Sequence, residues 1–559
     1  MSHTHWNILS SGSKPVAMAD IHPLILQLLH NRGITEPSQI ELFLRNDSAV
    51  EADPFLLPDM HRAVHRIHQA LMKGEKIVIY GDFDADGITA TALLVQGIEA
   101  LGGTVIPYIP HRTQEGYGLR VSALKEMHEQ GISLVITVDT GISANNEVEK
   151  GQKMGMDIIV TDHHIPPAIL PPALAIINPK RKDSKYPFIQ LAGVGVAFKL
   201  LQALTTGDGR ENIARSAMDL VALGTVTDMV PLTGENRYWV KSGLEIINKS
   251  QRLGLQEMIR GTRLQSGNLD AQSISWVLGP RINAAGRIDN ATTSYQLLLT
   301  EDPQEANSLA LELESKNAER IKQTNELTNK ARKAIEVEGV DQPLLLAGDK
   351  DYPPGIMGLV AGRLADKFYR PVILLRFGQE TCRGSGRSII EFDLMSALTE
   401  CQDLLTNFGG HTMAAGFSVP TSKLPEFQQR ISSLARNKLA GLDLRPHINI
   451  DAEVKLDIFN RATYESIQQL APFGSGNPLP TFVSRRVEVT DLRQIGNQGE
   501  HLKFRVKHNG ITWDTIGFGL GDYSKEITGK LDIVFNLDID RWNGEEKLRL
   551  NLLDFDPVE

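Results

Sequence analysis

The run Ile77-Val78-Ile79-Tyr80 is continuously apolar, and the chain passes from it straight into Gly81-Asp82-Phe83-Asp84-Ala85-Asp86-Gly87. An unbroken apolar run of this length fits a strand buried on both faces. Three carboxylates on alternate residues therefore stand at the end of a buried strand. Close-spaced anions repel unless a cation neutralises them, and carboxylate oxygens are the ligands that hard divalent cations prefer. The segment reads as a metal site. Asp82-x-Asp84-x-Asp86-Gly87 also fits the first half of an EF-hand calcium loop. Two features reject that reading: the loop's final position, where a bidentate Glu belongs, is Leu93, and the preceding segment is β-type where an EF-hand needs a helix. For the motif alone, three Asp at a solvated strand end is the structural alternative.

The surrounding pattern sets the fold class. Ile77 to Tyr80, Thr104 to Ile109, Leu134 to Val138 and Asp157 to Val160 read as strands, alternating with amphipathic helices such as Ile88 to Leu101 and Val121 to Gln130. This is the α/β pattern of a parallel, doubly wound sheet, whose ligands bind at the carboxyl ends of the strands. Asp302-Pro303-Gln304-Glu305 joins an N-cap, a first-turn Pro and an acid three residues after the cap, which predicts a helix from there to about Glu336. Ala310, Leu313, Ile321, Leu327, Ala331 and Ile335 mark a narrow apolar stripe on it, as in a rigid connector between domains. A coiled-coil dimer is the other use of such a stripe, but Asn317 and Thr324 make it too polar. Residues 342 to 440 form a second α/β unit, with strands at Leu344 to Leu346 and Val372 to Leu375. From about 446 onward, alternating runs such as Leu502 to Val506 and Leu531 to Leu537, with Asn509-Gly510 and Asn543-Gly544 as hairpin turns, predict a small barrel of the oligonucleotide-binding (OB) kind.

A chain of 559 residues is too long for one core, and its size suggests roughly three to five domains. With 41% hydrophobic and 23% charged residues it is an ordinary globular composition. Met1 to Asp20 has no signal-peptide pattern, and no apolar run approaches membrane-spanning length. Cys382 and Cys401 alone supply neither a disulfide framework nor a thiolate zinc cluster, so a cytoplasmic protein without a membrane is expected. The net charge of -10 argues against a nonspecific nucleic-acid coat, though not against a nucleic-acid enzyme with a locally positive groove. Lys180-Arg181-Lys182 with Lys185, the densest basic cluster, reads as a solvated loop.

Further acids and histidines fall at the same sheet edge. Asp139 leaves the strand Val135 to Val138, Asp162-His163-His164 follows the next strand, and Asp228 closes Gly224-Thr225-Val226-Thr227-Asp228. Singly these are a helix cap, a solvated histidine pair and a turn acid. Together, Asp84, Asp86, Asp139 and Asp228 would balance two divalent ions, while His163 adds a nitrogen that suits Mn²⁺ better than Ca²⁺. Two cations sharing a carboxylate suit hydrolysis of a phosphorus-oxygen bond. His164 can donate to the transferring phosphate or to the leaving oxygen, and Asp162 can orient from behind.

Asp82-Phe83-Asp84-Ala85-Asp86-Gly87, Asp139-Thr140-Gly141, Asp162-His163-His164 and Thr227-Asp228 resemble the four ordered motifs of the DHH phosphoesterase superfamily. Leu191 to Gly195, Ala222 to Leu232, Gly279-Pro280-Arg281-Ile282-Asn283-Ala284-Ala285-Gly286-Arg287, Gly409 to Gly416 and Pro472 to Pro478 extend the resemblance to its bacterial exonucleases specific for single strands, over roughly residues 50 to 559. The resemblance implies an N-terminal helical segment at 1–55, a DHH domain at 56–235, a helical region and connector helix at 236–340, a DHHA1 domain at 341–440 and an OB domain at 441–559. It implies two Mn²⁺ or Mg²⁺ ions and 5′ to 3′ release of mononucleotides from the 5′ end of single-stranded DNA, in recombination and repair. The metal ligands it implies are Asp84, Asp86, Asp139, His163 and Asp228, with Asp82 either a direct ligand or one acting through water, and with Asp82 and His164 in catalytic roles. Single-strand-binding protein and a RecQ-type helicase are the partners it implies, for a chain that acts as a monomer.

Such an exonuclease needs a pocket that grips a terminal phosphate and admits no continuing chain, a task suited to Arg forks. Arg112, Arg281 and Arg387 are the candidates, with Ser385 beside Arg387 and His411 as further DHHA1 elements facing substrate, and Tyr117 as a base-stacking residue. Each Arg also fits an ordinary ion pair, and Tyr117 a core or surface position. Many relatives carry Trp-His where this chain has Tyr352-Pro353, so a substrate contact by that His is not reproduced here. No further C-terminal domain is expected. A phosphodiesterase for very short or cyclic oligonucleotides is the second enzyme reading, disfavoured by the barrel, and a non-catalytic DNA-binding scaffold is the third, disfavoured by the retained ligand set.

Overall fold

Five short apolar runs pair side by side as parallel strands: β1 (Lys76–Tyr80), β2 (Thr104–Tyr108), β3 (Leu134–Val138), β4 (Asp157–Thr161) and β5 (Ala175–Ile177). Their order is β2-β1-β3-β4-β5. The alternation of side chains explains why these runs are apolar throughout. Ile77, Ile79, Ile136, Val138 and Ile159 join one core, while Val78, Tyr80, Val135, Ile158 and Val160 join a second on the other face. The chain reverses its winding direction between β1 and β3, so the crevice that such sheets use for ligands opens there, just beyond Tyr80 and Val138. The computed structural model describes residues 4–9, 18, 21–112, 114–207, 209–249, 252–542 and 545–558.

Four helices frame the crevice. α1 (Ala85–Ala100) leaves the Asp-rich loop directly, with Asp84 as its N-cap. It therefore begins three residues before the amphipathic pattern that starts at Ile88. α2 (Gly193–Thr205) and α3 (Met218–Thr227) pack on α1 and on each other, and α4 (Gly279–Ile288) crosses the Asp-rich loop.

α5 (Pro303–Glu338) is the long helix announced by Asp302, whose side chain accepts from the backbone N–H groups of Gln304 and Glu305. Its buried stripe differs from the apolar one. Ile321 is 41% exposed, while Asn317 and Thr324 are buried. The stripe tolerates them because both are satisfied locally: Asn317 Oδ1 accepts from the Arg320 guanidinium, and Thr324 Oγ1 donates to the Arg320 carbonyl. Leu313 joins the first sheet's core, whereas Leu327, Ala331 and Ile335 join the core of the second α/β unit. One helix thus ties two cores.

That second unit is a five-stranded sheet of β6 (Leu345–Asp349), β7 (Val372–Arg376), β8 (Thr381–Arg387), β9 (Asn407–His411) and β10 (Ala414–Pro420), in the order β9-β10-β8-β7-β6. Only β6 and β7 are parallel. α6 (Pro354–Phe368) covers it, with Pro353 at the N-cap and Tyr352 buried.

The chain divides into two compact units, one of residues 51–444 and one joining residues 1–50 to 445–559. In the latter, a closed barrel is made from strands Phe482–Ile495, His501–His508, Ile511–Gly517, Lys530–Trp542 and Glu545–Val558. The strand Phe482–Ile495 closes it by pairing at one end with Lys530–Trp542 and at the other with His501–His508. Register shifts between Ser484 and Val487 and between Thr490 and Arg493 let it bend, with Arg486 and Asp491 at positive φ. Asn509 and Gly510, both at positive φ, make the expected tight hairpin. The other expected turn, Asn543-Gly544, lies outside the described residues. Helices Pro23–Asn31 and Pro37–Leu44 bury Leu24, Ile25, Leu28, Leu29 and Ile40 in the barrel's core cluster. Among the described residues no helix is long and apolar enough to cross a membrane.

Candidate metal centre

Asp82, Asp84 and Asp86 follow β1, Asp139 follows β3, Asp162, His163 and His164 follow β4, and Asp228 caps α3. The crevice gathers them. Oxygen and nitrogen atoms of Asp82, Asp84 and Asp139 lie within 4.8 Å of one another, as do those of Asp86, His163 and Asp228, and those of Asp139, His163 and His164. The first two trios share no residue, so the cluster offers two adjoining cation seats. Asp82, expected in a catalytic role, stands here among the groups that can hold a cation.

Several ligand atoms have nothing else to do. Asp82 Oδ1, Asp139 Oδ1 and Asp228 Oδ2 are buried without a hydrogen-bond donor. A buried oxygen in that state is costly, and a cation satisfies it. Burial and the neighbouring carboxylates hold the carboxyls of Asp82, Asp139 and Asp228 well above the usual range, as the charging of a cage built for cations requires. The residues present fit divalent metal.

The backbone fixes this geometry. Asp84 Oδ1 accepts from the N–H groups of Asp86 and Gly87. Both oxygens of Asp86 accept from the start of α2, at 2.6 Å from Gly193 N and 2.8 Å from Val194 N. A Cβ on Gly193 would lie 2.5 Å from that of Asp139, so only glycine lets helix α2 approach. Asp139 itself takes φ +59°, the left-handed conformation that turns its carboxylate toward His163. His163 Nδ1 donates to the Leu191 carbonyl at 2.9 Å, which leaves the Nε2 lone pair facing the carboxylates. Burial, helped by His164 and Lys180, pushes its pKa down to about 3, so the ring is neutral, as a ligand must be.

Asp162 is buried and has its acceptors filled, by the N–H groups of Ile142, His163 and His164 and by His164 Nδ1 at 2.8 Å. Burial opposes its charge, but His164 and the backbone donors outweigh that and hold the carboxyl below its usual range. It orients His164. Burial would lower the His164 pKa, yet Asp162, Asp82 and Asp84 raise it, so its ring holds a proton more readily than a free imidazole. The His411 ring stacks on that of His164 at 6.3 Å, and Tyr117, 51% exposed, meets His164 edge-on at 6.0 Å. These three residues line a cavity of about 630 Å³.

A cationic pole lies beside Asp82 and Asp84. The Arg112 guanidinium sits 4.8 Å over the Phe83 ring, within electrostatic reach of both acids. Arg387 and Ser385 come from one face of β8 toward Gly358 of α6. Arg281 does not join them, contrary to expectation: its side chain is committed to Glu314 at 2.6 Å and to the Val277 carbonyl. Arg287 takes the place instead. Burial and the nearby charges of Arg112, Arg320 and Arg387 push its pKa down to about 9, a crowding of guanidiniums that an anion would relieve. The signal for it was the small triplet before it. A Cβ on Gly286 would lie 2.4 Å from the Phe83 carbonyl, and Asn283 Oδ1 accepts from Ala85 N, so α4 is pressed onto the Asp-rich loop. Gly355 abuts the Arg287 carbonyl equally closely, so the start of α6 is pressed onto the end of α4. The basic loop also departs from expectation. Arg181 is an internal pin, bonded to Asp59, Asp183 and the Ile176 carbonyl, and Lys180 is half buried within electrostatic reach of Asp228 and Asp162.

Three family profiles match this chain: the DHH family N-terminal domain at residues 76–225, the DHHA1 domain at 341–437 and the RecJ OB domain at 450–554. The single-stranded-DNA-specific exonuclease RecJ of Bacillus subtilis is 38% identical over 538 residues, covering 96% of this chain and 68% of that protein. RecJ of Escherichia coli is 33% identical over 565 residues, covering 97% of each. The crystal structure of Thermus thermophilus RecJ with Mn²⁺ superposes with a TM-score of 0.85 at 30% identity, covering 99% of this chain and 80% of that one, and a structure of the same enzyme with Mg²⁺ gives 0.79.

Proposed function

The chain belongs to the RecJ family of single-stranded-DNA-specific exonucleases, and from that premise we propose how its own residues divide the work. The activity is metal-dependent hydrolysis of single-stranded DNA from the 5′ end, in recombination and repair. Asp86, His163 and Asp228 hold one cation, and Asp82, Asp84 and Asp139 the other. The observation that carries this is the set of buried, donorless oxygens on Asp82, Asp139 and Asp228, which belong to the two trios of clustered ligand atoms. Two divalent cations bound there would neutralise phosphoryl charge and lower the pKa of a bound water, so that hydroxide is available to attack near neutral pH.

The remaining roles belong to side chains. Arg112, Arg287 and Arg387, with Ser385, receive the terminal 5′ phosphate beside Asp82 and Asp84. His164, held by Asp162, donates to the phosphoryl group or protonates the departing 3′ oxygen. Tyr117 stacks on a base and His411 braces His164 from the DHHA1 side. Contacts of this kind grip phosphates and ring faces, so cleavage tolerates any sequence. The reading extends to a cytoplasmic monomer supplied by single-strand-binding protein and a RecQ-type helicase, on the strength of family membership. The test is digestion with Mn²⁺: 5′-phosphorylated single strands should yield mononucleotides. No release, or equal attack on duplex ends, refutes the reading.

A further inference from the structure

The helix Gly234–Lys249 starts a few residues after Asp228, and its first turn is polar yet buried at Glu235, Asn236 and Arg237. Asn236 has no exposed surface at all. Its Nδ2 donates two hydrogen bonds, at 2.6 Å to the Gln190 carbonyl and at 3.0 Å to the Pro231 carbonyl. Its Oδ1 is buried and has no donor among the described residues. A buried amide with an orphaned oxygen is a costly way to fill space, so packing does not account for this residue. Its use lies in the two N–H bonds.

Both bonds end on segments that carry the seat of Asp86, His163 and Asp228. Gln190 precedes Leu191, whose carbonyl accepts from His163 Nδ1 at 2.9 Å, and the same segment runs on into Gly193 and Val194, whose N–H groups hold Asp86. Glu235 ties down the other end of that segment by accepting from the Tyr186 hydroxyl. Pro231 lies on the chain that leaves Asp228. The Leu191 carbonyl also has a rival, because the donorless Asp228 Oδ2 stands 3.6 Å from His163 Nδ1. If that carbonyl drew back, the Nδ1 proton would turn to Asp228, occupying a ligand oxygen and swinging Nε2 from its place 4.0 Å from Asp86 Oδ2. Asp84, in the other seat, takes its hydrogen bonds from α1 itself.

We propose that Asn236 is a positioning residue for one of the two cation seats. By fixing the Gln190 and Pro231 carbonyls it keeps the His163 proton on Leu191, and so leaves Nε2 and the Asp228 carboxylate free for the same cation. Its loss weakens the seat of Asp86, His163 and Asp228 and spares that of Asp82, Asp84 and Asp139. This rests on the two-seat reading above and adds to it a residue that acts through the ligands without being one.

The experiment titrates Mn²⁺ into the full chain, first stripped with chelator, and follows free Mn²⁺ and the spin-coupled pair by electron paramagnetic resonance. The unaltered chain should take up two ions and show the coupled pair. Asn236→Leu, which keeps the volume and loses both donors, should raise Kd for one ion about 10- to 100-fold, the range for loss of an outer hydrogen-bond partner, and leave the other unchanged. The coupled pair and the hydrolysis of single strands should then both return at proportionately higher Mn²⁺. Asn236→Ser, with one hydroxyl donor, should fall between, and it decides the matter if Asn236→Leu does not fold. Thr205→Val, which removes a buried hydrogen bond from the far end of α2, should leave both affinities unchanged. Unchanged affinities in the folded Asn236 variant, an equal loss at both seats, or the same loss in Thr205→Val overturns the positioning role while the two-seat reading stands. Fewer than two ions on the unaltered chain overturns the two-seat reading, and whether Asn236→Leu weakens the remaining ion then decides the role of Asn236.

Discussion

Asp139→Asn should stabilise the metal-free protein and abolish its response to metal. Asp139 follows β3 at φ +59°, a conformation that Asn accepts readily. Its Oδ1 is buried without a donor and lies 3.1 Å from His163 Nε2. Since His163 Nδ1 donates to the Leu191 carbonyl, Nε2 is an acceptor, so an ionised Asp139 sets two acceptors face to face, and avoiding this costs the folded state a retained proton. An Asn amide fits the same space and donates across the gap. Leaving a buried acceptor unsatisfied costs about 1–3 kcal/mol. The substitution also ends the burial of a charge crowded by Asp86, Asp84, Asp228 and Asp82. A gain of about 2 kcal/mol follows for the metal-free protein at about pH 8, read as a rise of roughly 2–5 °C in its melting transition. The unaltered chain should gain about 2.7 kcal/mol from Mn²⁺ at about a hundred times its Kd, and the variant should lose most of that increment together with nuclease activity. A variant that melts below the unaltered chain in chelator, or that keeps the full Mn²⁺ increment, refutes the reasoning.

Three other outcomes are expected. Burial and Asp84 push the Asp86 carboxyl up to about 7 without metal, so the folded state keeps a proton that the unfolded chain releases near pH 4. Stability of the metal-free protein should therefore fall as pH rises from about 4 to 7, by about 1.4 kcal/mol per pH unit from this group alone, and Asp82, Asp139 and Asp228, whose carboxyls are raised as well, add to the fall. Denaturant titration in chelator and in Mn²⁺ checks this, and a rise over that window in chelator contradicts it. Arg112→Ala or Arg387→Ala should raise KM for 5′-phosphorylated strands about 10- to 100-fold with little effect on 5′-hydroxyl strands, in paired steady-state assays. Arg281→Ala should leave kinetics unchanged and cost about 1 kcal/mol of stability, since it loses a pair with the half-exposed Glu314. A KM change matching that of Arg112→Ala would return Arg281 to the phosphate pocket.

What the sequence revealed followed from local rules. β1, β3 and β4 declare themselves because strands buried on both faces are apolar at every position, and the crevice at their ends then assembles Asp82, Asp139 and Asp162 to His164 from distant segments. The hairpin at Asn509-Gly510 is legible for the same kind of reason, since it is written in two adjacent residues that accept positive φ. What escaped depends on packing that no local pattern encodes. Arg281 and Arg287 share one motif, and only the close approach of Gly286 to Phe83 tells which guanidinium reaches the acids. The buried stripe of α5 runs through Asn317 and Thr324 because Arg320 satisfies them, a compensation that hydropathy does not register. Lys180 reads as part of a solvated basic loop until Asn178 is seen to tie its backbone to that of His164.

The most direct measurement is anomalous diffraction at the manganese edge from crystals soaked with Mn²⁺ and a 5′-phosphorylated oligonucleotide. The account predicts two peaks, one among Asp86, His163 and Asp228 and one among Asp82, Asp84 and Asp139, with the terminal phosphate on Arg112, Arg287 and Arg387. A single peak outside these trios, or a phosphate seated on Arg281, would contradict it.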